Sequence, residues 1–184
     1  KSLINLTIQN PNHSIVAKRI KRSEGPYFSF LYFMHKLITF LFTGKKINFG
    51  NYSCLTNNDA NILVSKASLW SSYSGTVKKY LKELKEINSI RGKRYFGPSK
   101  MSLFKLLIHS FSIIAVFKYQ VFFRSIIFFI IFNFFNFYLG SIGYLIQILI
   151  IIFNIIIFIV SQREKMGELM NSQDNLKNVE TITH

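Results

Sequence analysis

The sequence predicts a mixed α/β water-facing part followed by an interfacial helix and a two-helix membrane hairpin. Three observations predict it. Residues 1–124 carry twenty Lys and Arg against four Asp and Glu, whereas residues 125–160 carry no charge at all. Within the uncharged run, residues 121–139 and 142–161 each match the length of helix needed to cross a hydrocarbon core of roughly 30 Å. Ahead of them, short β-branched runs alternate with apolar helical runs, as in a sheet covered by helices.

The divisions expected along the chain are residues 1–100, the water-facing part; 101–118, an amphipathic helix at the membrane interface; 119–161, the hairpin; and 162–184, a polar tail. The chain opens on Lys1, already in an apolar–polar alternation, and is expected to be a piece cut inside a fold.

Residues 14–19 have the composition of a strand that runs into the basic cluster Lys18, Arg19, Lys21, Arg22. Glu24, Gly25 and Pro26 close the following turn, and a helix starts near Pro26. Residues 28–42 are apolar almost all round, which calls for burial against the rest of the domain, a membrane surface, or both. His35 stands alone there, with no His, Cys or carboxylate at ligand spacing, and reads as a satisfied histidine rather than a metal ligand. Gly44 ends the helix, and Lys45 and Lys46 suit its negative end.

Residues 47–56 form a loop and short strand. Asn57, Asn58 and Asp59 are expected to cap a helix beginning near Ala60. Residues 70–74 read as a polar and aromatic loop, residues 76–84 as a basic helix, and residues 87–90 as a strand. Glu83 and Glu86, three residues apart on or just beyond that helix, are expected to pair with Lys79 and Lys82. The single Cys54 rules out an internal disulfide and suits a reducing compartment.

On a helical wheel of residues 101–117, Ser102, Lys105, His109 and Ser112 share one stripe. Leu103, Phe104, Leu107, Ile108, Phe111, Ile114 and Ala115 fill the rest, the pattern of a helix lying in the membrane interface. In the hairpin, Gly140 and Ser141 are the only break, so the turn is tight and both flanks lie on one side. Lys and Arg flank both passes and are missing from the turn, which places the flanks in the cytoplasm, on a plasma or inner membrane. Asn133, Asn136, Gln147 and Asn154 are expected to bond across the two passes. The tail carries no recognisable motif and is expected to be disordered or loosely helical.

A net charge of +15 attracts phosphates. No helix-turn-helix, zinc-finger or aromatic RNA-binding pattern accompanies it, so no nucleic acid is expected as partner. Beside a membrane, the matching anions are lipid headgroups, a lipid phosphate or a nucleotide diphosphate.

The order of a strand with Val16-Ala17-Lys18-Arg19-Ile20-Lys21-Arg22, a hydrophobic helix, Phe49-Gly50-Asn51-Tyr52-Ser53-Cys54-Leu55, and Arg94-Tyr95-Phe96-Gly97-Pro98-Ser99-Lys100 before an amphipathic helix and hairpin resembles the C-terminal half of membrane-anchored family 2 glycosyltransferases. The nearest subgroup is the polyprenyl-phosphate, dolichol-phosphate mannose synthase-like type. Its last motif, R-x-x-G-x-S-K, is matched at Arg94, Gly97, Ser99 and Lys100.

The resemblance implies a nucleotide-diphospho-sugar fold of GT-A type and transfer of a sugar from a nucleotide-sugar donor to a lipid-phosphate or glycan acceptor. It implies Arg19, Arg22, Arg94, Ser99 and Lys100 as phosphate- and acceptor-binding residues. It also implies a divalent metal, Mg or Mn, in the intact enzyme, held by an Asp-x-Asp segment that this stretch lacks. Asn51 stands where the family has an acidic residue and Ser53 where it has Arg, so no catalytic base can be assigned. The alternative expectation is a non-enzymatic, membrane-anchored basic protein that binds anionic lipid or a partner complex.

Overall fold

The computed structural model of the chain describes residues 2–21, 26–90 and 102–171. Its elements run α1 (Ser2–Gln9), β1 (Ser14–Lys21), α2 (Pro26–Thr43), β2 (Phe49–Cys54), α3 (Asn57–Val64), α4 (Ser68–Ser71), α5 (Tyr73–Tyr80), β3 (Leu84–Ile90), α6 (Leu103–Ala115), α7 (Lys118–Leu139), α8 (Ser141–Ser161) and α9 (Met166–Asn171).

The sheet has the order β2-β1-β3, with β1 central, antiparallel to β2 and parallel to β3. Ser14, Ile15 and Val16 are fully buried and Ala17 nearly so, so both faces of β1 are covered. Val16 joins Phe49 of β2, Leu63 of α3, and Val77 and Leu81 around α5 in one apolar cluster. Ser14 locks the start of β1 to α3: its hydroxyl donates to Asp59 at 2.5 Å and accepts from the Thr56 amide at 3.0 Å.

Several elements differ from the sequence reading. The alternation at residues 2–9 folds as a helix, whose half-buried Leu3, Leu6 and Thr7 follow helical spacing. The cap of α3 is Thr56, whose hydroxyl accepts from the Asp59 amide at 3.2 Å, so the helix begins at Asn57. Residues 70–74 are not a loop but belong to two short helices meeting at Ser72, which caps α5 by accepting from the Gly75 amide.

The basic helix ends at Tyr80, and β3 begins at Leu84, earlier than the pattern indicates. Glu86 therefore lies in the sheet and pairs with Lys18 at 3.0 Å, while Glu83 lies 3.9 Å from His13. Lys79 instead donates to the Val116 carbonyl at 2.7 Å, at the C-terminal end of α6.

That contact joins the sheet part to the apolar helices. Gly75 sits so close to α6 that a Cβ there would lie 3.0 Å from Val116 Cγ2 and 3.1 Å from the Ile113 carbonyl. Ser71 donates to the Ser112 carbonyl one turn further back. A second apolar cluster, Ile114, Ala115, Val121 and Ile157 with Ile38 and Phe42 of α2, fills the meeting point of α2, α6, α7 and α8.

The helices α7 and α8 have 22 and 21 residues, about 32 Å each at 1.5 Å per residue. Both are long and apolar enough to cross a membrane. Only 11% of the most apolar stretch of α7 and 22% of that of α8 is buried, whereas the core helix of a water-soluble protein would be mostly buried. Gly140, with φ of +54°, is the entire connection, and only a residue without Cβ takes that conformation at low cost.

The polar residues of the pair do not bond across it as expected. Asn154 donates to the Ile150 carbonyl of its own helix, and Asn133 is exposed. The Asn136 carbonyl oxygen and the Gln147 amide nitrogen are buried with no partner among the described residues. A donor in a helix reaches the carbonyl four residues back at no cost in geometry, and that local bond wins for Asn154.

The amphipathic pattern of α6 is split along its length. Leu103, Phe104 and Leu107 are exposed with Lys105 and His109, but Ser112 to Val116 are buried, Ser112 among them. The Ser112 hydroxyl donates to the Ile108 carbonyl and accepts from Arg163. In the tail, α9 is a short helix, and residues 172–184 lie outside the described residues.

Candidate functional site

The parallel strands β1 and β3 end side by side. Arg19 is the register partner of Ser89, and Lys21 of Ile90. The chain therefore runs on into residues 22–25 and 91–101 from neighbouring points at one end of the sheet, about 4.8 Å apart. Sites in sheets of this kind collect at the carboxyl ends of parallel strands, where consecutive connections diverge. Of the residues expected to bind phosphate or acceptor, Arg19 is placed by its backbone at this sheet end. Arg22, Arg94, Ser99 and Lys100 lie outside the described residues.

On the other side of β1, opposite its middle, β2 is irregular. Val16 pairs with Ser53 and Lys18 with Phe49, so two steps along β1 face four along β2. Gly50, Asn51 and Tyr52 share that gap opposite Ala17, a bulge that lifts their side chains out of the ladder. Asn51 and Tyr52 are exposed, Tyr52 at 75%. A glycine inside a strand pattern is the signal for such a bulge, and Gly50 carries it in the sequence. On β1, a second irregularity between Arg19 and Lys21 leaves Ile20 exposed. The first distortion lies opposite the middle of β1 and the second near its end.

The surroundings of the bulge are fixed by polar contacts. Ser53, the next residue after Tyr52, shares a short hydrogen bond with the Tyr73 hydroxyl at the start of α5. The Ser89 hydroxyl donates to the Lys18 carbonyl at 3.1 Å, and the Lys18–Glu86 pair spans the same two strands. Sequence reasoning misses Tyr73, read as part of a loop, and Glu86, read as on or just beyond a helix rather than in the sheet. Asn51 can donate and accept hydrogen bonds but cannot take up a proton at neutral pH. It suits holding a hydroxyl or phosphate oxygen in place.

Among the described residues, no three His, Cys, Asp or Glu side chains converge on a position that could hold a metal ion. His35 has Thr39 as a neighbour, with 3.5 Å between the hydroxyl and Nδ1. Cys54 is free and half-buried at the end of β2. No protein-family model matches the chain, and none of the curated proteins or solved structures compared with it matches either.

Proposed function

We propose that this chain is the C-terminal portion of a membrane-bound glycosyltransferase of GT-A type, transferring a sugar from a nucleotide-sugar to a lipid-linked or cell-envelope acceptor at the cytoplasmic face. The observation that carries the reading is the sheet end. Two adjacent parallel strands lead into the basic stretches 19–22 and 91–100, and the bulge bearing Asn51 lies opposite Ala17 on the same β1. The mixed sheet flanked by helices, and two apolar helices joined to it through α6, agree with a fold of this type seated on a bilayer.

The chemistry such a site performs follows from charge. Breaking the bond between sugar and nucleotide diphosphate builds negative charge on the leaving phosphates, and a lipid phosphate adds more. Arg19, Arg22, Arg94 and Lys100 would hold and stabilise those oxygens, with Ser99 donating a further hydrogen bond. An acceptor phosphate attacks already ionised, so an asparagine at position 51 is no obstacle. A divalent ion, Mg or Mn, would neutralise the donor diphosphate, but its cage is not offered by the described residues.

The reading is tested in a chain extended upstream through an Asp-x-Asp segment and assayed with nucleotide-sugars, Mg²⁺ or Mn²⁺ and polyprenyl phosphate. There Arg94→Ala and Lys100→Ala each lower turnover 10-fold or more, about 1.4 kcal/mol of transition-state stabilisation, with membrane insertion unchanged. The 184-residue chain alone gives neither glycosyl lipid nor released nucleotide. Unaltered turnover in both variants, or metal-dependent turnover by the short chain, would overturn the site assignment.

A further inference from the structure

A groove of about 240 Å³ lies along the outer side of α2, bounded by residues 46–48 of the segment that follows the helix. Its surface is mostly apolar, with Phe33, Phe40 and Ile47 in its walls and Lys36, Lys46 and Asn48 among the residues that border it. The Lys36 ammonium stands 4.5 Å from the centre of the Tyr32 ring and the Lys46 ammonium 5.4 Å from that of Phe40. Neither lysine is ion-paired to a carboxylate among the described residues.

The helix that carries the groove is unusual for a water-facing element. Phe30 and Phe33 are each 60% exposed, and Leu37, Phe40 and Leu41 are exposed beside them. At helical spacing these five residues form a stripe about 100° wide, as wide as a core-facing stripe, yet here it is uncovered. The neighbouring side of α2 is docked on the apolar helices. Phe42 lies 4.5 Å from Phe153 of α8 and 5.4 Å from Phe128 of α7, ring centre to ring centre, and Arg124 donates to the Leu41 carbonyl at 3.1 Å. Phe128 falls just inside the uncharged run that begins at Ser125. The stripe is thus continuous with the lipid-facing surface of α7 and α8, at the depth where that surface starts.

From this continuity and from the charge beside the groove, we propose that α2 lies in the plane of the bilayer with its stripe among the acyl chains. Lys36 and Lys46, beside the apolar groove, then meet the phosphate of an anionic phospholipid whose chains follow the stripe. A second copy of the chain would bring lysine against lysine, whereas an anionic lipid complements both. The proposal rests on the membrane placement of α7 and α8 in the reading above, and not on sugar transfer.

The test uses the full chain with Cys54→Ala, in vesicles of phosphatidylcholine with a minority of phosphatidylglycerol. Single nitroxide labels are placed at Phe33→Cys and Phe40→Cys, with Ile130→Cys on α7 and Ser65→Cys after α3 as references. Labels at 33 and 40 collide with oxygen in preference to a water-soluble nickel chelate, as at 130 and opposite to 65. Nickel-accessible labels at 33 and 40 with a lipid-exposed label at 130 overturn the proposal and leave the membrane reading intact. A nickel-accessible label at 130 removes both. Shielding from both reagents, with spin–spin broadening, means that a second copy covers the stripe and overturns the proposal as well.

The headgroup site is read separately by native mass spectrometry from detergent containing equal phosphatidylglycerol and phosphatidylcholine. The wild-type chain retains phosphatidylglycerol preferentially, the preference falls about 10-fold or more in Lys36→Gln/Lys46→Gln, and millimolar inorganic phosphate does not displace the lipid. Equal retention of the two lipids by the wild type, an unchanged preference in the double variant, or displacement by phosphate refutes the site.

Discussion

Gly44 and Arg124 are eighty residues apart and are expected to act as one unit. Gly44 follows α2 with φ of +70°, and its amide donates to the Phe40 carbonyl at 2.8 Å, closing the helix. Arg124 of α7 bonds the neighbouring Leu41 carbonyl, and a Cβ on residue 44 would stand 2.6 Å from its Nη2. Gly44→Ala therefore costs about 1–2 kcal/mol for the left-handed backbone of a non-glycine residue. It also displaces a guanidinium that caps the negative end of a helix, worth about 1 kcal/mol at an exposed position. The sum, about 2–3 kcal/mol, lowers the melting temperature by roughly 5–10 °C for a chain of this size. In an Arg124→Ala background the clash is gone, so the same substitution costs only its backbone part, and the cycle shows a coupling of about 1 kcal/mol. Thermal melts followed by circular dichroism in dodecylmaltoside micelles measure all four proteins. Equal cost in both backgrounds, or no cost in either, would refute the unit.

Three further outcomes are expected. Reporters fused after Lys118 and after Lys165 both report cytoplasm, and an external signal from the second would break the hairpin. Leu63→Ala, at 2% exposure in the sheet cluster, costs about 2–5 kcal/mol, whereas Val64→Ala beside it, at 61%, stays within about 0.5 kcal/mol. Gly143→Ala, whose new Cβ would fall 2.0 Å from the Asn136 amide oxygen, costs about 1–3 kcal/mol in the same melts. Most of that loss is recovered when Asn136→Ala is added.

The fold was legible wherever one physical signal dominated. The missing charge over residues 125–160 and the lone break at Gly140 located α7, α8 and their turn, and Gly44 marked the end of α2. Signals failed where two were equal. Thr56 and Asn57 are both capping types, and only the three-dimensional path of the chain chose Thr56. Leu84, Lys85 and Glu86 continue a helical charge pattern, yet pairing with Ser14, Ile15 and Val16 of β1 draws them into the sheet. Strand pairing is a long-range effect that local propensity does not carry. At the site, residues 47–56 read only as a loop and short strand: the bulge at Gly50 went unread, and nothing local revealed that Tyr73 would reach Ser53.

Charge also explains why the two parts of the molecule keep a fixed relation. The ends of the α7/α8 pair meet: Lys118, the first residue of α7, holds Glu164, three residues past α8, at 3.0 Å, and Arg163 reaches Ser112 of α6. Glu164 is only 14% exposed in this pair, so separating the two ends would strip a nearly buried carboxylate of its cation. On the other side of α6, Lys79 holds the Val116 carbonyl and Gly75 admits the close approach of α5. Three described cations at the edge of the apolar helices make joints: Lys79 on α6, Lys118 with Glu164 just past α8, Arg124 on α2. Lys36 and Lys46 carry no joint of this kind among the described residues and stand over the rings of Tyr32 and Phe40 instead. A sheet joined to the helices at these points holds the end where β1 and β3 stop at a set position relative to α7 and α8, as the proposed transfer to a lipid acceptor would require.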